Sequence, residues 1–150
     1  MIYQRDDLTQ KYQSFKHCHK AQKIRLAIII YLTLHILFVT FYMGVDMFRT
    51  FTNQTLVLDL VSIGLTFLGS RKKTKLTKNR TFLSAHHLCF TTVVANNCLM
   101  LSIYWTLLHP LVMAEYNGDM PRKIHACLVH SLPAVAVLIN FKLTDFVVKA

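Results

Sequence analysis

Five polar side chains with the chemistry of a reactive site interrupt long apolar stretches of this sequence: Thr55, Asp59, Asn96, Asn97 and His130. Polar groups are costly inside a membrane-spanning helix, so each is a candidate for a functional role. Thr55 and Asp59 are one helical turn apart and would share a face. A hydroxyl beside an imidazole, supported by a third polar group, suits nucleophilic attack on an ester. Thr55 and His130 are therefore a candidate nucleophile and base, with the other three as supporting groups.

The same residues also have a purely structural interpretation. A threonine in a membrane helix most often donates to a backbone carbonyl one turn earlier, and asparagine often joins neighbouring helices. The residue types alone leave both alternatives open, a hydrolytic site and a set of polar contacts between helices.

Long stretches without charge supply the elements that would position these side chains. Residues 26–45, 81–114 and 124–141 contain no Lys, Arg, Asp or Glu, and residues 50–70 contain only Asp59. A helix needs about 20 mostly apolar residues to cross a bilayer. Charged residues make up 16% of the chain, against about 25% in soluble globular proteins. The sequence predicts an all-α, polytopic helical membrane protein with about four transmembrane helices, over about 26–43, 55–68, 88–108 and 124–141.

The basic residues are distributed unevenly along the chain. Six precede the first predicted span and six lie in the loop after the second: Arg5, Lys11, Lys16, Lys20, Lys23 and Arg25, then Arg71, Lys72, Lys73, Lys75, Lys78 and Arg80. Cytosolic segments of membrane proteins carry such an excess. We expect both termini to be cytosolic, with residues 1–25 forming a basic tail before a transmembrane domain at 26–150. Because topology explains the net charge of +10, membrane lipids are the expected partner and nucleic acid is not.

The tail and the cysteines carry further signals. Leu8, Tyr12 and Phe15 would share one face of a helix, which favours an interfacial helix in the tail. Three of the four cysteines fall inside or beside predicted spans, so a disulfide framework is not expected. Cys18 lies near the first span, a position typical of palmitoylation. The sequence implies no metal and no organic cofactor, because His17, Cys18 and His19 alone are too few ligands for a closed zinc site.

The order of the spans predicts the depth of the candidate pair. The second and fourth spans both begin on the outer side, so Thr55 and His130 would occupy the same leaflet and are expected to lie close together. Pro110 follows the third span, and proline normally interrupts a helix. We therefore expect the third helix to end at His109 and Pro110.

Four segments have the pattern of a known family. They are TLVLDLV at 55–61, LCFTTVVA at 88–95, SIYWTLL at 102–108 and HACLVHSLP at 125–133. These segments resemble the TxxDLV, LLFTTLAFP, FWILF and NHxMHT motifs of the androgen-induced and androgen-dependent family of multi-pass membrane proteins. The resemblance covers roughly residues 54–141.

That resemblance implies a function. Members of the family are threonine hydrolases that cleave fatty-acid esters of hydroxy fatty acids, using an intramembrane threonine and histidine. Carried over, these roles fall on Thr55 and His130, with a lipid ester as substrate and the endoplasmic reticulum as the membrane.

The sequence also departs from the family pattern. Thr55 precedes the acidic residue by four positions where the family has three, and Pro133 follows the histidine by three where the family has five. The family has about six spans, against the four predicted here, which suggests a truncated or divergent member. The alternative is a non-catalytic interaction or scaffold protein that pairs with other membrane helices through Asp59, Asn96 and Asn97.

Overall fold

A computed structural model of the chain describes residues 19–44, 50–70, 76, 79–115 and 117–144, apart from the side chains of Tyr42, Met43, Arg122 and His125. The regular elements in these ranges are all helical: α1 (His19–Met43), α2 (Phe51–Gly69), α3 (Arg80–Ile103), α4 (His109–Glu115) and α5 (Met120–Lys142). A π-helical segment, Tyr104–Leu108, joins α3 to α4. The predicted all-α fold is confirmed. The predicted interfacial helix, Cys18 and most of the basic loop lie outside the described residues.

Three helical rods among the described residues are long and apolar enough to cross a membrane: His19–Phe41, Phe51–Gly69 and Arg80–Glu115. The last helix contributes a shorter apolar stretch, Ala126–Lys142. The helices extend beyond the predicted spans, and α1 begins at His19, seven residues before position 26. At 1.5 Å per residue, even the 19 residues of α2 cover about 28 Å, close to the thickness of a bilayer core.

Short polar residues and glycines mark the ends of several helices. The Thr50 hydroxyl accepts the Asn53 N–H at the start of α2, at 3.4 Å. The Asn79 side chain accepts the N–H groups of Thr81 and Phe82 at the start of α3, at 2.9 and 3.3 Å. These are N-cap bonds, which satisfy backbone donors that the helix cannot pair. Gly118, with φ of 86°, makes the turn before α5 in a conformation that favours glycine.

The third rod continues through Pro110, so the prediction that it ends there is wrong. In the π-helical segment the His109 N–H donates to the Tyr104 carbonyl, five residues earlier. This wider turn shifts the backbone pairing immediately before the proline. Pro110 then lies in the first turn of α4, where its missing N–H is tolerated. The rod therefore reaches Glu115.

The helices form an up-down bundle in which α2 contacts α1, α3 and α5. Helix α3 also contacts α5, and α1 contacts α5. Thr66 of α2 meets His86 near the start of α3, whereas Asp59 meets Asn97 further along, so these two helices are antiparallel. The start of α1, the end of α2, the start of α3 and the end of α5 thus share one end of the bundle, which we call the basal end.

The bundle carries apolar side chains outside and polar ones inside. On α1 the exposed residues Leu26, Ile30, Leu34, Leu37 and Phe41 follow one another at spacings of three or four, which aligns them on one face. Arg25, Asp59 and His86 are each 0% exposed. A soluble protein normally has the reverse distribution, with charged residues outside. The arrangement is compatible with an integral membrane protein.

Candidate functional site

The basal end of the bundle contains a buried polar network that joins four helices. Arg25 of α1 donates from Nε to Asn140 Oδ1 at 3.0 Å and from Nη2 to the Leu143 carbonyl at 2.8 Å. The same guanidinium contacts the Thr144 hydroxyl at 3.3 Å. Asn140 Nδ2 donates to Thr66 Oγ1 at 3.4 Å. Arg25 thereby attaches α1 to the end of α5, and Asn140 extends the connection to α2.

The network continues from Thr66 to α3. Thr66 Oγ1 lies 2.8 Å from His86 Nε2 and 2.9 Å from the Ser62 carbonyl. The hydroxyl has one proton, so when it donates to Ser62 the imidazole must donate from Nε2, and when it donates to Nε2 the Ser62 contact is lost. The His86 ring also stacks against Phe82 and Phe90, with centroids 6.5 and 5.8 Å away. Its orientation is fixed by both polar and aromatic contacts.

A second polar contact lies further from the basal end, between α2 and α3. Asn97 Nδ2 donates to Asp59 Oδ1 at 2.7 Å and to the Val93 carbonyl at 2.9 Å. Asp59 and Asn97 are both buried, and Asn96 is partly exposed. The structure therefore brings together two of the three predicted supporting residues. Because Asp59 and Asn97 bind each other inside the bundle, neither is presented to a neighbouring membrane protein.

The Thr55 hydroxyl differs in its hydrogen bonding from the hydroxyls of other helical threonines in this chain. Thr33, Thr40, Thr66, Thr91 and Thr106 each donate to the carbonyl four residues earlier, which is the common behaviour of threonine in helices. Thr55 is 1% exposed, and its Oγ1 has no hydrogen-bond partner among the described residues. An unpaired buried polar atom in a folded protein requires an explanation.

His130 is held by aromatic packing on the π-helical segment. Its ring stacks on Tyr104 with centroids 4.0 Å apart and planes 22° from parallel. Tyr104 is buried, and its hydroxyl lies 3.8 Å from Cys127 Sγ, one turn from His130 on α5. The contact fixes the ring against the π-helical segment, in the half of the bundle away from the basal end.

Helical register relates the depths of Thr55 and His130. The bond between Thr66 and Asn140 aligns α2 with α5, and these helices run in the same direction. Thr55 precedes Thr66 by 11 residues, and His130 precedes Asn140 by 10. At 1.5 Å per residue these separations are about 16 and 15 Å. The two residues thus lie at similar depth, and their side-chain contact stays a prediction.

Sequence reasoning missed Arg25, Thr66, His86 and Asn140. One signal was present on α2, because Thr55, Asp59, Ser62 and Thr66 recur at spacings of four, three and four, which is the period of one helix face. A polar stripe on an otherwise apolar helix predicts a polar interior. No comparable pattern marked Arg25, which adjoins other basic residues in the sequence.

No group of three or more His, Cys, Asp or Glu side chains suited to a metal ion occurs among the described residues. The cysteines within the described ranges, Cys89, Cys98 and Cys127, are free thiols.

The fold and the buried network define the class of this chain as a helical bundle with an apolar exterior and a polar interior. Comparisons with protein-family models, with curated proteins and with solved structures give no match.

Proposed function

We propose that this chain is an integral membrane protein with four spans, located in the endoplasmic reticulum with both termini in the cytosol. The observation that supports insertion is the apolar outer surface around buried Arg25, Asp59 and His86. Helix α5 supplies the fourth span, because its apolar stretch Ala126–Lys142 covers about 26 Å, most of the thickness of a bilayer core. The cytosolic orientation follows from the excess of basic residues at positions 5–23 and 71–80.

The topology gives a direct prediction. Since Arg25 of α1 contacts Leu143 beyond α5, the two described ends of the chain lie on the same side of the bundle. Tags added at Met1 and Ala150 should both be digested by protease in sealed microsomes. A lumenal marker that resists digestion until detergent is added serves as the control. Protection of either tag would contradict the proposed orientation.

For this membrane protein we further propose hydrolysis of a lipid ester, with fatty-acid esters of hydroxy fatty acids as the substrate class. His130 accepts the proton of the Thr55 hydroxyl, and Oγ1 attacks the ester carbonyl. The carbon–oxygen bond to the alcohol breaks, and the leaving oxygen takes the proton from His130. Water then attacks the acyl-threonine and releases the fatty acid, which regenerates the hydroxyl.

The observation that carries this proposal is the Thr55 hydroxyl, which is buried and lacks the carbonyl bond that five other threonines make. A hydroxyl not engaged by its own backbone is available to an imidazole or a substrate. The similar depth of His130 and its fixed ring are consistent with a base at this level. The proposed substrate class, fatty-acid esters of hydroxy fatty acids, is taken from the family resemblance at 55–61 and 125–133.

The experiment is hydrolysis by the purified full-length chain in lipid nanodiscs. We expect release of free fatty acid from a fatty-acyl ester of a hydroxy fatty acid, and covalent labelling by a fluorophosphonate probe. Mass spectrometry of the labelled protein should locate the adduct on Thr55. Heat-denatured protein gives the background. If neither product nor adduct forms, the non-catalytic membrane protein is the better description.

A further inference from the structure

Three buried oxygen atoms, two at the Asp59–Asn97 contact and one a turn earlier on α2, have no hydrogen-bond partners among the described residues. They are Thr55 Oγ1, Asp59 Oδ2 and Asn97 Oδ1. Their side chains are between 0% and 3% exposed. Buried polar atoms in native proteins nearly always have a partner. Three unpaired oxygens in one region indicate a ligand that interacts with oxygen.

The geometry brings these oxygens to one locus. Asn97 Nδ2 is 2.7 Å from Asp59 Oδ1. Asn97 Oδ1 is bonded to the same carbon atom as Asn97 Nδ2, and Asp59 Oδ2 to the same carbon atom as Asp59 Oδ1. The two unpaired oxygens therefore flank this hydrogen bond. Thr55 lies one turn from Asp59 on the same helix face, where side chains are neighbours. Two helices thus contribute a carboxylate, an amide and a hydroxyl oxygen.

An ionised Asp59 carboxylate at this locus would have no compensating charge among the described residues. Asp59 makes no ion pair with the described residues; its hydrogen-bond partner is the neutral Asn97 amide. A lone charge in an apolar interior is expensive. A single bound cation would neutralise the carboxylate and satisfy the remaining oxygens together.

We infer that Asp59, Asn97 and Thr55 form a binding site for one sodium ion. Carboxylate, amide and hydroxyl oxygens are hard ligands that suit alkali and alkaline-earth ions, whereas zinc and copper favour histidine and cysteine. One carboxylate balances a single positive charge, which favours a monovalent ion over calcium or magnesium. The close contact of α2 and α3 at the Asp59–Asn97 bond favours sodium over the larger potassium ion.

The site does not depend on hydrolytic activity. A hydroxyl can coordinate a cation through an oxygen lone pair and still donate its proton, so Thr55 can serve both roles. Cation binding is measured without substrate, and failure of one proposal leaves the other standing.

The test is thermal unfolding of the purified full-length chain in nanodiscs, in NaCl, KCl or choline chloride at equal ionic strength. We expect a saturable rise in Tm of about 5 °C in NaCl over choline chloride, because a ligand that binds only the folded state stabilises it. Potassium should give a smaller rise. Asp59→Asn keeps a donor–acceptor side chain beside Asn97 but lacks the charge, and should abolish the sodium response.

Two further variants distinguish loss of the sodium site from misfolding of the variant protein. Thr55→Val removes one ligand without changing charge, and should shift the sodium midpoint to a concentration about tenfold higher. Ser102→Ala removes an exposed hydroxyl that bonds to the Cys98 carbonyl, and should retain the wild-type response. Equal Tm values in sodium and choline for the wild type would overturn the site. An unchanged sodium response in Asp59→Asn would also overturn the site. Tm values that depend on pH but not on sodium would identify a proton as the occupant instead.

Discussion

Replacing Arg25 with methionine is expected to lower the free energy of unfolding by about 3 kcal/mol, since buried acceptors that lose their donor pay the cost of desolvation. The change removes the contacts from Arg25 to Asn140 Oδ1, the Leu143 carbonyl and Thr144. Methionine fills a similar volume, so the loss of stability measures the removed polar contacts more than a change in packing. Unfolding in mixed detergent micelles, followed by circular dichroism, measures it.

The matched control is Lys23→Met, which removes one positive charge from an exposed position on the same helix. We expect it to change stability by less than about 0.5 kcal/mol. Arg25→Lys should fall between the two, because an ammonium group keeps the charge but cannot span the acceptors that the guanidinium fork reaches. Equal stability of Arg25→Met and Lys23→Met would show that the network does not hold α1 to α5.

The helical class and the approximate helix positions followed from the sequence, because uncharged stretches of this length have few other solutions. The helix ends were less predictable. Thr50 and Asn79 each start a helix through individual side-chain bonds. Pro110 failed as a stop signal because its effect depends on the backbone before it, where a π turn changes the pairing.

The inward face of α2 was partly predictable, and the basal network was not. Asp59 and Asn97 stood out as polar residues in apolar stretches, and they bind each other. Arg25 has the same local setting as Lys20 and Lys23, and charge counting assigned all three to the tail. Its burial depends on Asn140 and Leu143, more than a hundred residues away. Only the packing of α1 against α5 distinguishes it from its neighbours.

The largest effect on activity is expected from Thr55→Ala, which should lower kcat/KM for lipid-ester hydrolysis by at least about a thousandfold, or roughly 4 kcal/mol of transition-state stabilisation. Removal of the nucleophile prevents formation of the acyl-threonine. His130→Ala should lower the same constant by about 10²- to 10⁴-fold, because the hydroxyl then loses its base. Initial rates of fatty-acid release in nanodiscs provide the measurement.

The double variant separates catalysis from damage to the fold. A nucleophile and its base act as a unit, so the combined variant should be no slower than Thr55→Ala alone. If the two substitutions instead damaged the fold independently, their separate reductions in kcat/KM would multiply in the double variant. Thr33→Ala, at an exposed hydroxyl bonded to the Ile29 carbonyl, should retain the wild-type rate. Full activity in Thr55→Ala would exclude Thr55 as nucleophile and direct the search to Thr66, whose hydroxyl lies 2.8 Å from His86 Nε2.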